Sequence, residues 1–230
     1  MLLAIDTATS LIGAAVHDGS AVRSRVTFED GRRHGELLAP AVQQALEEAG
    51  THRAALTAVV CGVGPGPFTG LRVGVVTALV LAHALDLPVP EGVCSLDAMA
   101  HGTVGRHLGP LLVATDARRK EVYWATYEVT PDGAVRVDGP AVARAADLPS
   151  EVRDLPAVGR GVELYAASLT RPLDGGPRDV DPGTLAELAV ALREGRHPDA
   201  DRDGRGLLAP EPLYLRRPDA VASLPGGPPR

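Results

Sequence analysis

The sequence predicts an α/β fold made of two similar lobes, each a mixed β-sheet flanked by helices. The chain has 230 residues, 45% of them hydrophobic, which is long enough for a substantial core. Apolar runs of strand length alternate with segments of helical periodicity. The order strand, Asp, turn, strand, Asp-Gly turn, strand occurs twice, starting at Met1 and again at Pro110. This repetition, with "LLAIDTAT" resembling "LLVATDAR", indicates an internal duplication.

The first half is predicted to hold four strands and three helices. A hairpin turn at Asp18-Gly19 joins the second and third strands. Pro40 is expected in the first turn of a helix that begins near Gly35, and Ser95 is expected to be the N-cap of a short helix. The predicted strands are 1–5, 12–16, 21–28 and 57–63, and the predicted helices are 35–49, 70–85 and 95–104.

The second half repeats the strand pattern and ends in a less regular segment. Asp181 and Pro182 fit the N-cap and first position of a helix that runs to Glu194. "EPLYLR" is either a last strand or a turn near a partner. The predicted strands are 110–115, 121–129, 134–137 and 155–159. The predicted units are an N-terminal lobe (1–104) that carries partner-binding helices, a C-terminal lobe (105–216) and a disordered tail (217–230).

Composition limits the class of protein. A net charge of −6 argues against autonomous nucleic-acid binding, which needs a basic face. Cys61 and Cys94 lack CxxC spacing, so we expect buried free thiols in a reducing compartment. The first sixteen residues lack a basic segment and contain Asp6, unlike a signal peptide. The apolar run 71–85 is too short to span a membrane. A cytoplasmic protein is therefore expected.

A glycine-rich stretch, "GVGPGPFTGLRVGVV", precedes the helix at 70–85. Such loops often bind phosphate, but this one lacks the Lys of a P-loop, and its glycines do not fit GxGxxG. Pro65 and Pro67 also remove two backbone donors. A tight strand-to-helix turn is the alternative reading. Thr69 and Gly70, at the start of the helix, could still receive an anion, and Arg72 could either receive one or pair with a carboxylate of the fold.

The "DTATS" turn is a second candidate for phosphate binding. An Asp at the end of the first strand, followed by small hydroxyl residues, is the layout of the first phosphate loop of actin-like ATPases and sugar kinases. Asp116 ends the duplicated strand, and Arg118 follows it in a turn that would otherwise be a solvated hairpin tip. A third, adenosine-binding loop should carry adjacent glycines, and neither candidate is convincing: Arg160 separates Gly159 from Gly161, and the other is the short stretch "DGGP". The degenerate nucleotide positions are Asp6, Thr7, Thr9, Thr69, Gly70, Asp116 and Arg118.

The sequence predicts neither a catalytic centre nor a metal site. The histidines show no HxxxH or HExxH spacing, and no nucleophile–base pair is indicated by residue order. We therefore expect scattered core and surface histidines, examples being His34, His52, His83, His101 and His107.

The helices at 35–49 and 70–85 have unusually wide apolar faces. A helix that is apolar all round must be covered on more than one side, so we predict that the two helices form a subunit interface. A stripe of small residues would let an opposing helix approach closely. The predicted interface residues are Leu38, Val42, Leu46, Gly74, Val75, Ala78, Leu79 and Ala82.

Five stretches together resemble the TsaB (YeaZ) family of tRNA threonylcarbamoyladenosine biosynthesis proteins. They run in order from Met1 to about Arg216: "LLAIDTAT", "RRHGELLAP", "GVGPGPFTGLRVG", "DARRKEVYWATY" and "PLYLR". The resemblance implies an actin-like ATPase (ASKHA, ribonuclease H-like) fold, related by descent to M22 glycoproteases. Where the family has Ser in GPGSFTG, this chain has Pro67, which argues further against phosphate binding by this loop.

The resemblance also implies a function. Family members are non-catalytic subunits that support TsaD, the subunit that transfers threonylcarbamoyl to adenosine 37 of tRNAs reading ANN codons. The ATPase TsaE joins them, TsaC supplies the activated group, and tRNA is bound only within the complex. Pairing uses the first two helices, which also form homodimers when the protein is alone. No tightly bound cofactor is expected. ATP or ADP with Mg²⁺ is expected to bind only at a site shared with partners. The alternatives are an actin-like kinase or ATPase and an M22-type metallopeptidase.

Overall fold

The computed structural model describes residues 1–31, 33–202 and 204–216 and contains two β-sheets with helices packed around them. The predicted tail, 217–230, lies outside the described residues. The strands are β1 (Leu2–Asp6), β2 (Leu11–His17), β3 (Val22–Glu29), β4 (Ala58–Gly64), β5 (Glu91–Cys94), β6 (Gly109–Asp116), β7 (Glu121–Thr130), β8 (Gly133–Arg144) and β9 (Ala157–Val158). The helices are α1 (His34–Glu48), α2 (Phe68–Ala84), α3 (Ser95–His101), α4 (Ser150–Arg153), α5 (Arg160–Leu164) and α6 (Pro182–Arg193).

The first sheet has the order β3-β2-β1-β4-β5. β1 pairs antiparallel with β2 and parallel with β4, and β5 is parallel to β4. All residues of β1 and β4 are buried. A strand that is covered on both faces reads as a continuous apolar run rather than as an alternating one, which is why these two strands were readable from the sequence.

The second sheet has the order β8-β7-β6-β9 and repeats the first four positions of the first sheet. Strand β7 pairs antiparallel with both β8 and β6, and β9 pairs parallel with β6. This shared topology agrees with the sequence repeat. The predicted α/β fold class, mixed sheets flanked by helices, is confirmed, and the actin-like assignment stays a prediction. The lobe boundaries stay a prediction.

One hydrophobic core joins the two sheets. It contains Leu2 and Val60 of the first sheet, Val113 and Tyr127 of the second, and Leu185 of α6. Helix α6 belongs to the second half of the chain but packs on β1, β2 and β3. A second core lies between the opposite face of the first sheet and helices α1 and α2. The first sheet is therefore covered by α6 on one face and by α1 and α2 on the other.

The predicted elements are present, with two corrections at helix starts. Helix α1 begins at His34, so Pro40 lies inside it rather than in its first turn. Both Pro40 and Glu36 are exposed, so the Glu36 carbonyl, which a proline cannot bond, faces solvent. Ser95 is the first residue of α3 and not its N-cap. Asp181 does cap α6, accepting a hydrogen bond from the Thr184 amide at 2.8 Å.

The C-terminal strap, residues 207–216, crosses the edge of the first sheet. Leu208 exchanges two backbone hydrogen bonds with Gly92 of β5, and the Leu213 amide donates to the Val63 carbonyl at 2.8 Å. "EPLYLR" forms no regular strand. The strap thus pairs with an edge strand that would otherwise expose backbone groups.

Of the helices that the structure describes, none is both long and apolar enough to cross a membrane.

Candidate functional site

The turn that follows β1 lies directly on the glycine-rich segment that follows β4. The two strands are parallel neighbours, with Ile5 paired to Cys61. Their carboxyl ends therefore meet at the same edge of the sheet, where ligands bind in open α/β sheets. This edge is where the two predicted phosphate-binding stretches come together.

Four glycines of this segment, spaced four residues apart, contact the turn: Gly62, Gly66, Gly70 and Gly74. A Cβ atom on Gly62 would lie 1.7 Å from Asp6 Oδ2, and one on Gly66 would lie 2.4 Å from the Ala8 carbonyl oxygen. On Gly70 it would lie 2.6 Å from the Thr7 carbonyl oxygen, and on Gly74 2.4 Å from Thr7 Oγ1. The glycines therefore serve the close approach of this segment to the turn.

Polar groups of Thr7 and Thr9 form hydrogen bonds within the protein. Both are buried. The Thr7 hydroxyl donates to the Gly70 carbonyl at 2.7 Å. The Thr9 carbonyl lies 3.1 Å from Nε2 of the buried His34 and so ties the turn to the start of α1. Of the predicted anion-binding groups at the start of α2, Thr69 and Arg72 are exposed, whereas Gly70 is buried against Thr7.

Asp6 is buried, with 1% of its surface exposed. Its carboxylate accepts hydrogen bonds from the Ala8 amide at 2.8 Å and the Ser95 hydroxyl at 2.6 Å. The same hydroxyl accepts from the Gly64 amide at 3.2 Å, which explains why Ser95 does not cap its own helix. Burial raises the pKa of Asp6 to about 6, although the two hydrogen bonds oppose this shift. The Asp6 carboxylate is thus held by the fold itself.

Asp116 occupies the corresponding place in the second sheet and also caps its own turn. It accepts from the Arg118 amide at 2.8 Å and pairs with the Arg118 guanidinium at 3.2 Å. Aspartate commonly bonds a backbone amide two residues on, as both Asp6 and Asp116 do here. A cavity of only about 20 Å³ separates Asp116 from the turn at Thr9. Asp6 does not line this cavity and lies behind the turn.

Arg160 lines the same small cavity and forms ion pairs there. Its guanidinium bonds Asp179 at 2.6 Å and Glu29 of β3 at 2.7 Å. These hydrogen bonds, that to Asp179 above all, raise the Arg160 pKa. Gly159 and Gly161, candidates for a third loop, pack on the Ala114 carbonyl instead. A Cβ atom on Gly159 would lie 2.2 Å from that oxygen, and one on Gly161 would lie 2.8 Å from it. An ion-pair network of Arg160, Glu29 and Asp179 therefore joins the two halves of the chain at this place.

The structure corrects which residues of α1 and α2 face outward. Whether these helices contact a partner stays a prediction, but six of the eight proposed interface residues are buried in the protein's own core. Only Leu46 and Leu79 reach the surface. The buried six are Leu38, Val42, Gly74, Val75, Ala78 and Ala82. The stripe of small residues thus packs on the chain's own turn and sheet, because these are the nearest elements to that face.

The outer face of α2 carries large apolar side chains, of which only Leu79 is among the predicted interface residues. Val76, Leu79 and Val80 are 52, 38 and 61% exposed. Leu46 and Leu81 line a mainly apolar groove of about 420 Å³ between α1 and α2. Helical spacing carries this signal, since 76 and 80 lie opposite the buried positions 71, 75, 78 and 82, and 79 lies at the border of that buried face.

The part of the chain that the structure describes holds no group of three or more His, Cys, Asp or Glu residues that could bind a metal. His101 and His197 lie together, with ring centroids 5.8 Å apart. Burial lowers the pKa of both, that of His101 to about 4. Cys61 and Cys94 are free and buried, as predicted, and burial raises the pKa of Cys61 to about 12. These groups are core residues.

Comparison with known proteins places the chain in a family. Residues 25–170 match the model of the family described as "TsaD: tRNA N6-adenosine threonylcarbamoyltransferase". The chain is 43% identical over 224 residues to an uncharacterised protein of Mycobacterium tuberculosis strain H37Rv, covering 95% of this chain and 93% of the relative. It is 38% identical over 133 residues to the tRNA threonylcarbamoyladenosine biosynthesis protein TsaB of Escherichia coli K12, covering 57% of each.

Solved structures agree. The protein titled YeaZ from Pseudomonas aeruginosa superposes with a TM-score of 0.71 at 25% identity, over 93% of this chain and 99% of that one. A second structure, titled as an uncharacterised protein with similarity to peptidase YeaZ from the same organism, gives 0.72 at 28% identity, over 94 and 99%.

We predict that Gly62→Ala lowers the free energy of unfolding by about 2–3 kcal/mol, because the new methyl group overlaps the Asp6 carboxylate. The loss should be smaller in an Asp6→Ala background, where the overlapping oxygen is gone. Urea unfolding of the single and double variants measures this coupling. Gly35→Ala is the control, since a Cβ there meets nothing within 4 Å. Equal losses in both backgrounds would contradict the assignment.

The buried state of Asp6 predicts a pH dependence. Its pKa is about 6 in the folded chain against an ordinary 3.8, so the folded state binds more protons between these values. Asp6 therefore stabilises least above pH 6, and the difference in unfolding free energy, wild type minus Asp6→Asn, should fall as the pH rises from 4 to 7. The fall should be on the order of 3 kcal/mol.

Urea unfolding at several pH values measures this difference, in which other titrating groups cancel. Asp18→Asn is the matched control, because hydrogen bonds from the Ala21 and Ser20 amides lower the pKa of Asp18. The difference in unfolding free energy, wild type minus Asp18→Asn, should change in the opposite direction. It should decrease as the pH falls toward and below the ordinary pKa of aspartate. A wild-type advantage over Asp6→Asn that grows with pH would show that Asp6 is stabilised as an anion.

Proposed function

The chain belongs to the TsaB (YeaZ) family, within the wider family of TsaD-type tRNA N6-adenosine threonylcarbamoyltransferases, and on this premise we propose its function. It takes part in forming N6-threonylcarbamoyladenosine at position 37 of tRNAs reading ANN codons. Within that process it is a non-catalytic subunit that binds and supports the transferase subunit TsaD. Family membership carries the proposal, and the packing of the two loops supports its non-catalytic part.

The charged groups of Asp6 and Arg160 are bonded within the chain, and this supports a non-catalytic role. A phosphate site needs free backbone amides and a cleft that admits the ligand. Here the Asp6 carboxylate is hydrogen-bonded inside the fold, and Arg160 crosses the cleft to Glu29 and Asp179. ATP or ADP with Mg²⁺ would accordingly bind only at a site completed by a partner. The same geometry speaks against an independent actin-like kinase.

The exposed face of α1 and α2 is the surface that we propose for TsaD. An exposed apolar strip on one helix is costly to leave in water, and large patches of this kind mark interaction sites. Val76, Leu79 and Val80 form such a strip beside the groove at Leu46 and Leu81. The same face would pair two copies of the chain when TsaD is absent. TsaE and tRNA would join only the assembled complex, in the cytoplasm.

The first test is reconstitution. We expect the purified chain to co-elute with the TsaD-type protein of the same organism and to be required, with TsaC- and TsaE-type proteins, for threonylcarbamoylation of an unmodified tRNA transcript. Mass spectrometry of tRNA nucleosides measures the product. ATP hydrolysis by the chain alone should stay at background. Turnover that co-elutes with the chain and disappears in Asp6→Ala would instead show an independent ATPase.

The second test concerns the proposed face. Val80→Glu replaces a 61% exposed apolar side chain by a charge. If a partner buries this position, the loss of apolar burial, about 2 kcal/mol, weakens binding to TsaD roughly 30-fold. Calorimetry measures the affinity, and sedimentation measures self-association. Val137→Glu is the control, since Val137 is 59% exposed on β8. Unchanged affinity of Val80→Glu would place the interface elsewhere.

A further inference from the structure

The outer face of α2 carries opposite charges at its two ends. Exposed side chains recur along it at alternating intervals of four and three residues, which is the spacing of a seam between packed helices. These positions are Arg72, Val76, Leu79, His83 and Asp86, and the last of them lies two residues past the end of α2. Leu79 lies seven residues from each charged end, so the row of charges is symmetric about it.

Neither end charge is neutralised inside the chain. The Arg72 guanidinium carbon lies 5.2 Å from the centre of the Phe68 ring, but Arg72 forms no ion pair within the described ranges, 1–31, 33–202 and 204–216. Within the same ranges the Asp86 carboxylate has neither an ion pair nor a hydrogen bond. Because both side chains are exposed, each is available to a group of another molecule.

Asp86 is unfavourable for the isolated chain in two ways. It ends α2 with a left-handed φ of 52°, in a cap where the Leu87 amide donates to the Ala82 carbonyl at 2.9 Å, and this position favours glycine. An anion beside a helix C-terminus also meets the negative end of the helix dipole. Stability of the single chain therefore does not account for an aspartate here, whereas a cation supplied by another molecule would offset its charge.

We propose that Arg72 and Asp86 select a second copy of this chain. The two α2 helices pack antiparallel about a two-fold axis near Leu79, and Arg72 of each copy pairs with Asp86 of the other. A helix rises about 1.5 Å per residue, so the two charges lie about 10 Å from the axis on opposite sides of it and meet after a two-fold rotation. A two-fold contact forms each such pair twice.

The charges also select the direction of packing. A parallel arrangement would place Arg72 beside Arg72 and Asp86 beside Asp86, and like charges in contact oppose association. The antiparallel arrangement sets the helix dipoles against each other favourably as well. This inference deepens the proposed function and rests on it for the use of the same face by TsaD, which is the competing occupant.

Sedimentation of the full chain tests the proposal with two charge reversals. Arg72→Glu and Asp86→Arg should each weaken self-association at least about tenfold, because each places like charges together at both ends of the contact. An equimolar mixture of the two variants should associate with near wild-type affinity. In the mixed pair the introduced glutamate meets the introduced arginine, and the wild-type pair forms at the other end. Neither a folding defect nor a different packing direction would give this recovery.

Two further variants are controls. Arg144→Glu reverses an exposed arginine at the end of β8 and should leave self-association unchanged. Asp86→Asn keeps a residue that tolerates the left-handed backbone but removes the charge. It should weaken self-association about fivefold, since two exposed pairs are lost, without lowering the melting temperature of the diluted chain.

Three results would overturn the proposal. These are a wild-type chain that stays monomeric at its highest soluble concentration, single reversals that associate within twofold of wild type, and a mixture that associates no better than either variant alone.

Calorimetry with TsaD separates this proposal from the proposed function. If the mixture recovers association but the wild-type chain does not bind TsaD, the proposed function fails while the Arg72–Asp86 pairing stands. If the wild-type chain binds TsaD but the mixture does not recover, the pairing fails while the proposed function stands.

Discussion

The close packing of the turn after β1 on the glycine-rich segment after β4 is the constraint on which the rest of this structure depends. Four glycines at intervals of four residues let the turn approach to distances that any side chain would block. This contact fixes the direction in which α2 leaves the sheet. It also decides which face of α2 is buried, since Gly74 meets Thr7 while Val76 and Val80 are left outside.

The same contact changes what the fold can do. In an α/β sheet the carboxyl edge of the strands is the place for a ligand, but here protein atoms occupy it. Asp6 satisfies its carboxylate with Ala8 and Ser95, and Arg160 joins Glu29 to Asp179 across the remaining gap. Polar groups that are bonded within the fold have little left for a substrate. This packing supports our proposal that the chain acts through a surface, the apolar face of α1 and α2.

The two sheets are joined by shared apolar packing. Helix α6 comes from the second half of the chain but covers β1 and β2, and residues of both sheets lie in one core. The strap adds backbone hydrogen bonds to the first sheet at Gly92 and Val63. Opening the cleft would break both the Arg160 network and this packing, and interiors packed this densely deform little.

The sequence by itself determined most of the elements, the repeated strand order and the family, but β5, α4 and α5 were not predicted. Apolar runs predict the buried strands, and Asp181 with Pro182 predicts a helix start. The aspartates at positions 6 and 116 indicate turns. Tertiary structure alone decided which residues of α2 face outward, because an apolar helix can turn either side to the sheet. It also decided that Ser95 serves Asp6, a residue 89 positions away, instead of capping its own helix. Contacts between distant residues, such as Phe68 with Tyr214, leave no local periodicity, so only the folded chain brings them together.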